Sequence, residues 1–133
     1  MKANKYYYPA IFHVAEEGGF WISFPDFEGI LSQGDSFEEA IEMAKSALGL
    51  ELCDLELEGK EYPKSSIVSQ VKHDKKDVVV MIELDLLEYK RTHNSFAVKK
   101  TLSIPSWLNE EAIAAGLNFS AILQQGLKKE LGY

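Results

Sequence analysis

Phe20-Trp21-Ile22-Ser23-Phe24-Pro25-Asp26-Phe27-Glu28-Gly29-Ile30-Leu31-Ser32-Gln33-Gly34-Asp35-Ser36-Phe37-Glu38-Glu39-Ala40 is the stretch on which the fold turns. Phe20 to Phe24 is aromatic and β-branched and reads as a strand. Pro25 to Gly29 is a turn, punctuated by proline and glycine. Ile30 to Gly34 is long enough for one more short strand. Ser36-Phe37-Glu38-Glu39 then has the spacing of a capping box, in which serine accepts from the third helical amide and glutamate reaches back. Strand, turn, strand and helix start therefore follow within 21 residues.

Working outward, Tyr6 to Val14 reads as a first strand, and Glu16-Glu17-Gly18-Gly19 turns it into a hairpin with Phe20–Phe24. Downstream, Phe37, Ala40, Ile41, Ala44, Leu48, Leu52 and Leu55 recur at three- and four-residue steps, one face of a long helix that Gly59 stops. Glu38, Glu42, Glu51, Asp54, Glu56 and Glu58 solvate the rest of it. Pro63 to Lys76 is mostly polar with a short Ile67-Val68 element, and the β-branched run Val78 to Leu84 predicts a largely buried strand. An antiparallel sheet covered on one face by one helix is an α+β layer.

Residues 1–90 would make that layer, 91–96 a linker, and 97–133 a second, smaller domain. In the tail, Ala97-Val98-Lys99-Lys100-Thr101-Leu102-Ser103-Ile104 alternates, with Val98, Leu102 and Ile104 on one face and Lys99, Thr101 and Ser103 on the other. Pro105 ends this strand, Trp107 to Ala115 predicts a short helix stopped by Gly116, and Asn118 is a good N-cap for a last helix to Leu131. Fewer than forty residues cannot bury such a face alone. The strand needs a partner strand, most simply that of an identical chain.

Composition bounds the function. The chain of 133 residues is 46% apolar and 26% charged, a globular balance. No run approaches the roughly 18 apolar residues of a membrane span, and no apolar stretch follows the basic N-terminus as a signal peptide requires. The lone Cys53 reads as a reduced, buried thiol of a cytoplasmic protein, and it excludes a cysteine zinc cage. His13, His73 and His93 are scattered without metal-ligand spacing, and His13 reads as structural or surface. No phosphate loop or nucleophile elbow is present, and no cofactor is expected. Net charge is −7, divided as −8 over residues 1–96 and +1 over 97–133, with a basic cluster Lys90-Arg91-Thr92-His93 before the seam. Such asymmetry points to different partners for the two parts.

The tail's strand, short helix, Gly-Leu-Asn-Phe-Ser turn (Gly116 to Ser120) and final helix resemble the ribbon-helix-helix DNA-binding fold. In that fold two chains pair strands into a ribbon for the major groove. The first hundred residues look like the N-terminal domain of HicB-type antitoxins. That resemblance rests on Tyr8-Pro9-Ala10, on Phe20–Phe24 with Pro25-Asp26-Phe27-Glu28-Gly29, and on Gly34-Asp35-Ser36-Phe37-Glu38-Glu39-Ala40. Glu28 stands where the family commonly has proline. The resemblance implies a trimmed ribonuclease H fold that has lost its nuclease site and masks HicA, a small mRNA-cleaving toxin. It also implies a dimerising tail that represses the shared operon. Lys99, Thr101 and Ser103 would read base edges, and the amides at Asn118, Phe119 and Ser120 would meet a backbone phosphate. Lys100 has the inward parity and would either snorkel to a phosphate or merely reach solvent. The partners implied are a HicA-type toxin, operator DNA and a second copy of the chain, and no enzyme activity is expected.

Two other readings compete. Asp26, Glu28 and Asp35 invite a metal-dependent nuclease, although aspartate after proline and before a helix is also ordinary turn chemistry. A ribbon-helix-helix repressor sensing a small ligand, without a toxin, is the other. Trp21, Phe24 and Phe27 are either core or, with Asp26 and Glu28, a toxin-binding surface, and the sequence leaves that choice open.

Overall fold

The computed structural model describes residues 4–93 and 97–133. Strands β1 (Lys5–Val14), β2 (Phe20–Ser23) and β3 (Leu31–Gly34) form the expected meander. Strand β4 (Val78–Asp85) pairs with the other side of β1, giving an antiparallel sheet of order β3-β2-β1-β4. At the hairpin, Ala15 N–H donates to Gly19 O at 3.1 Å, with Gly18 and Gly19 at φ 96° and 73°.

Helix α1 (Phe37–Leu57) begins as its sequence dictates: Ser36 Oγ accepts from Glu39 N at 3.1 Å, and Glu38 and Glu39 complement the dipole. It ends in a Schellman motif, with Lys60 N–H on Leu55 O, Gly59 N–H on Glu56 O and Gly59 at φ 70°. Ala40, Ala44, Leu48 and Leu52 bury one stripe of the helix against Tyr8, Ala10, Phe12, Ile22, Ile82 and Leu84 of the sheet. The two alanines let the helix approach closely. Phe37 is partly exposed but closes the top of the core, packing its ring 5.3 Å from Phe12 and 5.7 Å from Phe20.

Two expectations change. β4 is not largely buried: Val78 and Met81 are exposed while Ile82 and Leu84 are inside. The reason is topological, since β4 is an edge strand of a sheet with a helix on one face only. Helix α2 (Leu86–His93) takes in residues 91–93 of the expected linker, while 94–96 lie outside the described residues. The Tyr89 ring lies against Gly49, where a Cβ would come within 2.5 Å of it, and Lys90 pairs with Glu56 at 2.6 Å. Ile67-Val68 becomes a single 3-10 turn, Val68–Gln70.

Burial, then the neighbouring Glu56, pushes the Tyr62 phenol up from 10.0 to about 12. A phenol titrating higher in the folded than in the unfolded chain contributes stability that is complete below pH 10 and lost as pH rises toward 12. Tyr62→Phe is expected to flatten that alkaline loss in urea melts at pH 9 and 11. An unchanged pH slope would remove Tyr62 as its source.

The chain divides into two compact units, Met1–Phe96 and Ala97–Tyr133. In the second, α3 (Ser106–Ala114) ends at Gly116 (φ 67°), with Leu117 N–H on Ala112 O, and α4 (Phe119–Leu131) follows. Residues 97–105 form no strand in the single chain, because a strand exists only against a partner and the described residues supply none.

Candidate functional site

Strand parity gives the sheet a second face, away from α1. Tyr7, Pro9, Ile11 and His13 of β1 stand beside Trp21 and Ser23 of β2, Leu31 of β3, and Val79 and Met81 of β4. Tyr7, Trp21, Leu31 and Met81 are exposed, Pro9 and Ile11 between them are buried, and the Lys5–Glu83 ion pair at 3.3 Å sits at the rim. An apolar patch of aromatics and a methionine on an otherwise acidic unit has the composition of a protein-binding surface.

One corner of this face is strongly organised. His13 Nδ1 lies 2.9 Å from Asp77 Oδ2, and His13 Nε2 lies 2.8 Å from Ser23 Oγ. Val14 N–H donates to Asp77 Oδ1 at 3.2 Å, and the Asp77 side chain is 3% exposed. Trp21 stacks on the imidazole, centroids 3.6 Å apart and planes 10° from parallel. The indole is thus held rigid while 45% exposed. Sequence reasoning left His13 as a scattered histidine, because Asp77 is 64 positions away and only the β1–β4 ladder brings them together.

The five residues proposed for partner binding separate in space. Phe24 and Phe27, 2% and 8% exposed, belong to the core, where Phe27 packs edge-on to Tyr8 at 4.7 Å. Of the two alternatives the sequence left open for them, burial favours the core, since a buried ring has little surface to offer. Trp21 and Glu28 are exposed. Asp26 accepts from Ser66 N at 2.9 Å and from Ser66 Oγ, tying the Pro25–Gly29 turn to the segment after Pro63. That segment is also held by Tyr8 Oη donating to Pro63 O at 2.6 Å, and burial together with the Asp26 carboxylate pushes the Tyr8 phenol up. Asp35 is exposed. Among the described residues, no three histidine, cysteine or carboxylate side chains are grouped to hold a metal ion. Cys53 is free and buried, and burial pushes its thiol up, away from reactivity.

In the second unit, Lys99, Lys100, Thr101, Ser103, Phe119 and Ser120 are all exposed. Asn118 caps α4, its Oδ1 accepting from Ala121 N at 3.0 Å, so the first-turn amides open beside it. Leu102, Ile104, Trp107, Ile113, Ile122 and Leu127 are exposed as well, and Ala112 is the one buried residue described in this unit. An isolated unit with so much apolar surface in water lacks a core of its own. Among the described residues, no helix is long and apolar enough to cross a membrane.

Comparison with known proteins gives one consistent answer. The profile of a family described as HicB_like antitoxin of bacterial toxin–antitoxin system matches residues 8–126. Antitoxin HicB 1 of Photorhabdus laumondii is 54% identical over 41 residues, which is 31% of this chain and 26% of that protein's length. The fold is similar to a toxin–antitoxin complex chain from Streptococcus pneumoniae, with TM-score 0.60 and 26% identity over 95% of this chain and 99% of that one. It is also similar to Burkholderia pseudomallei antitoxin HicB, with TM-score 0.55 and 18% identity over 95% and 98% of the two chains. A chain of a HicA3 and HicB3 toxin–antitoxin complex matches 60% of this chain and 99% of its own, with TM-score 0.51 and 23% identity.

Proposed function

Because the chain belongs to the HicB-like antitoxin family of bacterial toxin–antitoxin systems, we propose that it masks a HicA-type mRNA-cleaving toxin and represses its own operon in the cytoplasm. The family match over residues 8–126 carries this reading. The first unit, a trimmed ribonuclease-H-like layer, serves as toxin binder and not as enzyme. An enzyme that cleaves RNA must present basic groups to phosphates, and a unit of net charge −8 draws such a partner in quickly.

The tail's exposed apolar residues support a second copy as its partner. Pairing of residues 97–104 from two chains as a ribbon-helix-helix dimer would cover Val98, Leu102 and Ile104. It would direct Lys99, Thr101 and Ser103 to base edges, with Lys100 and the amides of Asn118, Phe119 and Ser120 at phosphates. On a palindromic operator the dimer doubles the DNA contacts, offsetting the weak phosphate attraction of one acidic chain. The domain division proposed is 1–90 for toxin and 97–133 for DNA and dimerisation.

Co-expression tests the first half: the protein restores growth to cells expressing the adjacent toxin gene, and failure to do so overturns the reading. For the second half, Thr101→Ala with Ser103→Ala is expected to cost about 0.5–1.5 kcal/mol of discrimination per lost hydroxyl contact. Toxin neutralisation is expected to be unchanged. Gel-shift competition between operator and scrambled DNA measures this, and undiminished selectivity rules out residues 97–104 as the reading strand.

A further inference from the structure

Ser23, His13 and Asp77 come from three adjacent strands or their ends and stand in one line, hydroxyl to imidazole to carboxylate. We propose that Ser23 is an activated nucleophile that accepts an acyl group from thioesters and aryl esters, with His13 as its general base and Asp77 as the positioning residue. This assignment is independent of the toxin and of the operator.

The order of the three groups carries the argument. A carboxylate only accepts hydrogen bonds, so at 2.9 Å Asp77 Oδ2 fixes the neutral imidazole as the Nδ1–H tautomer. That leaves the Nε2 lone pair facing Ser23 Oγ at 2.8 Å, where it receives the hydroxyl proton. Asp77 is itself aimed by Val14 N–H and is almost wholly shielded from water, so its field on the imidazole is little screened. Trp21 lies flat on the ring and fixes its plane. The pairings His13↔Trp21 and Ile11↔Ser23 set the base and the nucleophile two residues apart on neighbouring strands of one face. Ser23 is partly exposed and the His13 side chain 18% exposed, so a small donor reaches the hydroxyl from solvent beside Trp21, while the neighbouring Ile11 and Pro9 are buried.

In the step proposed, Ser23 Oγ attacks the acyl carbon as its proton passes to His13 Nε2. The bond from the acyl carbon to the thiolate or phenolate breaks, and the leaving group takes the proton from His13. The products are a Ser23 ester and a free thiol or phenol, with no change in oxidation state. The ester would sit beside Trp21, on the exposed face.

The test incubates the full-length protein with p-nitrophenyl acetate and, separately, with a fluorophosphonate, and reads intact mass and peptide maps. One adduct per chain on Ser23 is expected, formed at least about 100-fold faster than in His13→Gln, the size of a general-base contribution. The wild-type rate should rise with pH along a single titration and then level. Asp77→Asn, with circular dichroism confirming its fold, should slow labelling at least tenfold and displace that titration. Label scattered over other serines and lysines, or Ser23 labelling as fast in His13→Gln as in wild type, overturns the proposal. Should the variants fail to fold, the wild-type profile decides alone: a rate rising in proportion to hydroxide throughout overturns it.

Discussion

Truncated after residue 96, the protein is expected to become a monomer that neutralises its toxin but no longer recognises its operator. Removal of 97–133 takes away Lys99, Lys100, Lys128 and Lys129, all the basic residues of the tail, and leaves a unit of charge −8. Such a unit has little to offer phosphates. It also removes the exposed row of Val98, Leu102 and Ile104, the surface on which mutual strand pairing would rest. Operator affinity should fall by at least about 1,000-fold, to the non-specific level or below. Affinity for the toxin should stay within about threefold, because the core of the first unit and the side chains packed against it end at Tyr89, which the truncation keeps. Light scattering, footprinting and toxin titration on the same preparation measure the three effects. A truncated protein that still protects the operator would place DNA binding in the first unit and dismantle the division of labour.

The contrast between the two units follows from where their information lies. Local chemistry was readable without a structure: Ser36 caps α1, Gly59 and Gly116 close helices with positive φ, and Asn118 caps α4, each through contacts within five residues. Wherever the outcome depended on a distant partner, the residues alone were mute or misleading. Val78-Val79-Val80 looks like part of a largely buried strand, yet β4 lies at an edge, which depends on the sheet order rather than on the run itself. Phe24, Phe27 and Trp21 are chemically similar neighbours, and only the placement of α1 on one face sends two inward and one out. The Ser23–His13–Asp77 line needs three strands in register before it exists. Residues 97–105 present the same difficulty in sharper form, since among the described residues no strand pairs with them.

Gly34→Ala is expected to be among the most damaging single-methyl additions in the first unit. Gly34 ends β3 and pairs with Phe20, so its backbone conformation is ordinary and any effect of a Cβ is steric. That Cβ would lie 2.5 Å from Ala40 N, 2.6 Å from Ala40 Cα and 3.0 Å from Glu39 C. These are backbone atoms in the first turn of α1, and no rotamer change relieves the clash. The helix must lift from the sheet just where Ala40 and Ala44 had permitted close packing, which loosens Phe12, Ile22 and Leu48 beneath it. Overpacking costs about 1–3 kcal/mol when side chains absorb it, and the rigid backbone here puts Gly34→Ala at the upper end, about 3 kcal/mol. For a unit of this size that lowers the melting temperature by about 12–24 °C. Gly18→Ala isolates the other way a glycine matters: a Cβ there meets open space, but φ is 96°, so only conformational strain remains. It should cost about 1 kcal/mol, well short of the loss at Gly34. Thermal melts of the two variants beside wild type decide the matter. Equal losses, or a milder one for Gly34→Ala, would mean that the sheet and α1 have more room between them than the Gly34–Ala40 approach allows.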